Sequence, residues 1–129
     1  MCMGVALKGV IVKGFGEGKY YMAMQKYKAQ FKAKLGFAPY EGTLNIKAEK
    51  DKVMKFLSGL KAIKINGFKT KQRSFGGLKA YKVRLNGERI GLIIPDRTSH
   101  EPDTVELIAK FNIKEKFGLK DGNKVAITQ

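Results

Sequence analysis

The chain has 129 residues, 43% of them hydrophobic, and carries 26 Lys+Arg against 11 Asp+Glu for a net charge of +15. That length fits one domain spanning residues 1–129, able to bury about two-thirds of its unfolded surface and to fold without metal or disulfide staples. A single cysteine, Cys2, and a single histidine, His100, exclude an internal disulfide, a thiolate zinc site and any two-histidine metal centre.

In chain order, Val5 to Lys13 (VALKGVIVK) is rich in β-formers and bounded by glycine, which predicts a first strand. Gly14-Phe15-Gly16-Glu17-Gly18-Lys19 follows and is too glycine-dense for regular structure. Met24, Tyr27, Phe31 and Leu35 then recur at helical spacing, with Lys26, Lys28, Lys32 and Lys34 mostly off that stripe and Gly36 as the stop. Thr43 to Lys47 alternates as a short strand. Glu49 to Ser58 reads as a second helix, with acids in its first turn and Val53, Phe56 and Leu57 as its apolar face.

The remainder reads as β. Asn66-Gly67 and Asn86-Gly87 each separate strand-like runs, and such pairs favour hairpins because a type I′ turn needs positive φ at both central residues. Lys79–Leu85 and Arg89–Ile94 are therefore expected to pair antiparallel. Glu106 to Ile108 lies in an apolar patch, a basic turn follows, and Asp121-Gly122 leads into a closing strand over Lys124–Thr128. Short, numerous strands with two or three brief helices predict a mostly β chain folded as a small closed or nearly closed barrel. No signal peptide is expected, and no apolar run approaches the roughly 20 residues that span a bilayer. A cytoplasmic protein follows as the expectation, with no membrane partner and a monomeric state.

The cations are unevenly spread. No acid occurs between Asp51 and Glu88, while ten Lys or Arg do. A field of that sign draws polyanions, nucleic acids and nucleotides among them, and it equally serves as a lysine-rich solvated surface. Most are Lys, and base readers favour the bidentate Arg fork, so nucleic acid is not expected as a partner beyond nonspecific attraction.

Three segments could carry chemistry. The glycines of Gly14–Lys19 let backbone N–H groups approach a phosphate, and Lys19 adds charge, though a plain glycine-rich hairpin loop has the same composition. The spacing is too short for a Walker A loop, and Tyr20 stands where Ser or Thr would hold a metal. Thr43 and Asn45 share one face of a strand and offer neutral oxygens of the kind that suit Mg²⁺ shared with substrate phosphates, or simply a solvent-facing polar pair. Glu106, set between Val105 and Leu107-Ile108, either sits in an apolar environment that would raise its pKa toward the general-base range or turns outward to water. His100 reads as a loop histidine. Scarce, scattered acids fit phosphoryl transfer, where positioning and electrostatics outweigh covalent work by the protein.

Taken together, GFGEGKYY at 14–21, LGFAPYEGTLNI at 35–46, IIPDRTSH at 93–100, VELIA at 105–109 and LKDGNKV at 119–125 resemble the archaeal CTP-dependent riboflavin kinases over nearly the whole chain. The resemblance implies a six-stranded cradle-loop (RIFT-type) β-barrel that moves the γ-phosphoryl group of CTP to the ribityl 5′-hydroxyl of riboflavin, yielding FMN and CDP. It implies that Gly14, Phe15, Gly16, Glu17, Gly18 and Lys19 wrap the CTP phosphates and that Thr43 and Asn45 hold Mg²⁺. Thr98 and Glu106 would contact the flavin, Glu106 also accepting the proton, and Phe111, Asn112, Ile113 and Lys114 would pack against the nucleotide. The chain departs from the family where IAPxxLR is usual. It has Lys110 for the proline, Ile113 for the leucine and Lys114 for the arginine, which loses a planar fork. The competing reading is a basic β-barrel that binds nucleic acid in the manner of a transcription regulator, using the acid-free 52–87 region.

Overall fold

The structure, a computed structural model, describes residues 6–14, 24–96 and 103–129. Nine strands and three helices follow one another along the described chain: β1 (Ala6–Val12), α1 (Gln25–Leu35), β2 (Leu44–Lys47), α2 (Lys50–Ser58), β3 (Ile63–Ile65), β4 (Phe68–Lys69), β5 (Ser74–Phe75), β6 (Leu78–Leu85), β7 (Glu88–Pro95), β8 (Thr104–Ile108), α3 (Ile113–Phe117) and β9 (Lys124–Thr128). Six strands pair antiparallel in the order β6-β7-β8-β2-β1-β9, and Arg84 of β6 meets Thr128 of β9 to close the ring. The expected six-stranded barrel is thus the observed one. Closure works because β6 divides its second edge: Leu78–Ala80 pair with β3, and Arg84 is left for β9.

Most barrel strands alternate, and the buried members of the alternation fill the interior; β7 is instead buried on both faces from Ile90 to Ile94, with Ile93 under the outer layer. Leu7, Ile11, Ile46, Leu92, Leu107 and Ile127 are at most 1% exposed and belong to one apolar cluster. Helix α2 adds Val53, Phe56 and Leu57 to that cluster, and α3 adds Ile113 with Phe111 and Phe117 beside it. The Asn86-Gly87 hairpin forms as read from the sequence: both residues have positive φ, at 50° and 81°, and Leu85 pairs with Glu88 across them.

A second apolar layer lies outside the barrel. There α1 lays Tyr27 and Phe31 over Ile65, Phe75, Ala80, Ile93 and Ile108. Polar side chains pin the helix to the segment after β3. Gln30 accepts from the Asn66 N–H at 2.6 Å and donates to its carbonyl at 2.9 Å, and the Tyr27 hydroxyl donates to the Gly76 carbonyl at 2.7 Å. Gly36, with φ 87°, ends α1 and returns its N–H to Lys32.

Two expectations need correcting. Asn66-Gly67 does not turn a hairpin, because β3 pairs with β6 while β4 pairs with β5. The glycine serves close approach instead: a β-carbon at Gly67 would land on the backbone of Phe75, Gly76 and Gly77. The basic stretch after β8 is not merely a turn, since it contains α3. The side chain of Asn112 caps that helix by accepting from the Glu115 N–H at 3.2 Å, and Gly118 ends it with φ 62°.

Replacing Phe31, 0% exposed on the inner face of α1, by Ala should cost about 3–5 kcal/mol in chemical denaturation. Gly67→Ala should cost about 1–3 kcal/mol, because the obstructing atoms are backbone and cannot swing aside. Burial, and secondarily the charge of Asp96, raise the Tyr81 phenol above its ordinary pKa of 10.0. A raised folded-state pKa means its contribution is complete below about pH 10 and is lost as pH climbs beyond that. Urea melts at pH 9 and 11 should therefore show a steeper alkaline loss for the parent than for Tyr81→Phe.

Candidate active site

One register row crosses the outside of the wall. Ile63 pairs with Ala80, Ala80 with Ile93, Ile93 with Glu106, Glu106 with Asn45, and Asn45 with Val12. Under α1 the row is apolar, with Ala80 and Ile93 in the outer cluster. At β8 and β2 it turns polar, to Glu106 and Asn45, both half-buried. Val105 and Leu107 take the interior, and Glu106 between them lies on the outer face of β8.

Thr43 lies two residues before Asn45, on the same side of the chain, and its hydroxyl stands 3.5 Å from Glu106 Oε1, at the long limit for a hydrogen bond. Backbone contacts hold the segment leading to it. The Tyr40 N–H donates to the Ala109 carbonyl at 2.7 Å, and the Gly42 N–H donates to the Tyr40 carbonyl at 2.8 Å. Glu41, between them, pairs with Lys28 of α1 at 3.2 Å. Gly14, just past β1, packs on the Asn45 amide so closely that a β-carbon there would overlap the side-chain nitrogen. The start of the glycine-rich segment, the Thr43/Asn45 pair and Glu106 are therefore brought to one spot on the outer wall.

The remaining candidates divide. Phe15, Gly16, Glu17, Gly18, Lys19 and Thr98, with His100, lie outside the described residues. Asn112 Nδ2 lies 3.4 Å from the phenol oxygen of Tyr40. Phe111 packs edge-to-face on Phe117, and Lys116 lies 4.6 Å over its ring. Ile113 is buried in the barrel core, and Lys114 pairs with Asp121 at 2.6 Å. Tyr40, Glu41 and Lys28 were not singled out from the sequence as site residues. The only signal for Tyr40 and Glu41 was their place in PYEGTLN, and Lys28 looked like an ordinary solvated helix lysine.

No three His, Cys, Asp or Glu lie together as a metal cage among the described residues. What the wall does offer is a hydroxyl and an amide oxygen beside one carboxylate, a donor set that fits a hard cation sharing its charge with substrate phosphates. A shallow cleft of about 630 Å³ at the far end of β2 is lined by Lys47, Lys50, Glu49, Asp51 and Asp103. Its three carboxylates suit a polyphosphate poorly. No described helix is long and apolar enough to cross a membrane.

Comparison with known proteins agrees with the motifs. The family model CTP-dep_RFKase (Domain of unknown function DUF120) matches residues 11–128. The chain is 43% identical over 122 residues to a riboflavin kinase of Methanocella arvoryzae, 42% over 125 residues to one of Thermoplasma volcanium and 40% over 125 residues to one of Archaeoglobus fulgidus. Each alignment covers 95% of this chain but only 54–56% of the relative, so the chain spans a little over half the length of these proteins. The match over nearly all of its residues makes the chain a member of the CTP-dependent riboflavin kinase family.

Proposed function

We propose that the chain transfers the γ-phosphoryl group of CTP to the ribityl 5′-hydroxyl of riboflavin, giving FMN and CDP with the help of Mg²⁺. The observation that carries this reading is the convergence of Gly14, Thr43, Asn45 and Glu106 on one patch of the outer wall. A glycine-laced backbone suits phosphate oxygens, neutral oxygens suit a cation that brings phosphates with it, and a neighbouring carboxylate suits a proton. Family membership and the names of the relatives point the same way.

In this mechanism the backbone of Gly14 to Lys19 cradles the triphosphate, with Lys19 adding charge. Thr43 and Asn45 would hold Mg²⁺, whose contribution is to neutralise charge on the phosphates. Glu106 takes the proton from the 5′-hydroxyl as the ribityl oxygen bonds to the γ-phosphorus, and the bond to the β-phosphate oxygen breaks to release CDP. The Thr43 hydroxyl beside Glu106 Oε1 steadies the carboxylate for that transfer. Thr98 would contact the flavin. Phe111 to Lys114 would line the nucleotide, Ile113 through its backbone because its side chain is buried.

The nucleic-acid reading has less to support it. The cations of the acid-free region are spread along the chain, over α2 (Lys52, Lys55), the approach to β3 and β3 itself (Lys61, Lys64), the β4–β5 ribbon (Lys69, Lys71, Arg73) and β6 (Lys79, Lys82, Arg84).

Riboflavin incubated with CTP and Mg²⁺ should yield FMN, separable by chromatography, and CTP should outperform ATP, GTP and UTP. Failure of every nucleotide–metal combination would overturn the proposal. Asn45→Ala and Glu106→Gln should each lower kcat by about 10²-fold or more with an unchanged circular dichroism spectrum. Gly14→Ala should raise the nucleotide KM, since its new methyl displaces the Asn45 amide.

A further inference from the structure

Four ion pairs join described residues, and Lys28–Glu41 has the least exposed cation of them, with the lysine side chain 26% exposed against 42–68% in the others. The Lys28 ammonium donates to Glu41 Oε2 at 3.2 Å. Its position is unusual for a carboxylate. Glu41 is two residues from Thr43, so their Cα atoms are within roughly 7 Å, and it stands at the edge of a patch built for a polyanion. Left unneutralised there, it would repel the phosphates that Gly14, Thr43 and Asn45 suit. Lys28 projects from the first turn of α1, the helix that the outer apolar cluster and the Gln30 clamp hold against the wall. Its ammonium is therefore carried by a fixed element rather than a loose loop.

From this geometry we infer that Lys28 is a positioning residue for polyphosphate binding: it cancels the Glu41 charge, so that Thr43 meets an anion without a competing carboxylate. The inference rests on the reading of the site as a triphosphate site. It assigns Lys28 no direct bond to the ligand, and that makes it distinguishable from two simpler roles. A phosphate ligand would be missed whatever residue 41 is. A mechanical tether would be lost equally by cutting either end.

The test is equilibrium binding of CTP, and of inorganic tripolyphosphate as a base-free probe, to the parent, Lys28→Met, Glu41→Gln and the double variant, each checked for folding by circular dichroism. Lys28→Met should weaken both probes about tenfold at low salt, and the deficit should shrink as salt rises. Glu41→Gln should bind as well as the parent or better, and the double variant should return to within about threefold of the parent, because the offending charge is gone. Lys28→Gln serves as a second variant should the methionine form not fold. A double variant as weak as Lys28→Met would overturn the inference in favour of direct contact. Equal losses in the two single variants would overturn it in favour of a tether. If the parent itself binds neither probe, the triphosphate reading of the site fails, and this inference with it.

Discussion

Leu44 and Leu107 face each other across β2 and β8, both within 4% of full burial. That buried pair sets the register on which the site depends. With a side-chain period of two, the next residues, Asn45 and Glu106, must face out and must be neighbours. A slip of one residue would drive an amide and a carboxylate into an apolar interior and expose two leucines, at a cost far beyond any local gain. The barrel core thus holds the polar constellation in place without touching it.

Helix α1 determines where along the outer wall polarity begins. It shields the β3, β6 and β7 members of the register row and, on β8, Ile108, but the row itself continues there as Glu106 and on β2 as Asn45. Its attachment is specific as well as apolar. Gln30 reads both backbone groups of Asn66, and Tyr27 reaches Gly76, so that the short segment from Ile63 to Gly77 acts as a brace for the helix. Phe68 stacks on Phe75 at 4.8 Å and meets Tyr27 edge-on at 5.0 Å, and those ring contacts supply the apolar part of the same brace.

The high positive charge finds little relief inside the chain. Among the described residues the ion pairs are exposed or half-exposed and contribute little to stability. On the outer face of β6 and β7, Arg84 even stands directly opposite Arg89, an arrangement that costs rather than stabilises. Net charge of this kind acts through the field around the molecule, by attracting anions and keeping copies apart, more than through the fold.

The sequence by itself determined the class of fold, because alternation, helical spacing and turn chemistry are local. The hairpin at Asn86-Gly87, the stop of α1 at Gly36 and the closing strand Lys124–Thr128 are all written in a few adjacent residues. The chemistry of the candidate site was legible too, as residue types in motifs. Three things required the tertiary structure. Asn66-Gly67 carries the same letters as a hairpin turn, yet its role is set by Phe75 to Gly77, residues that pack on it from the junction of β5 and β6. Helix α3 had a local cue in Asn112 and Glu115, but five residues are too few to announce a helix before the core receives Ile113. And the meeting of Gly14, Thr43, Asn45 and Glu106, with Lys28 turned onto Glu41, depends on strand register and helix docking across more than sixty residues of chain. No local pattern encodes such distances, because they arise only when the interior closes.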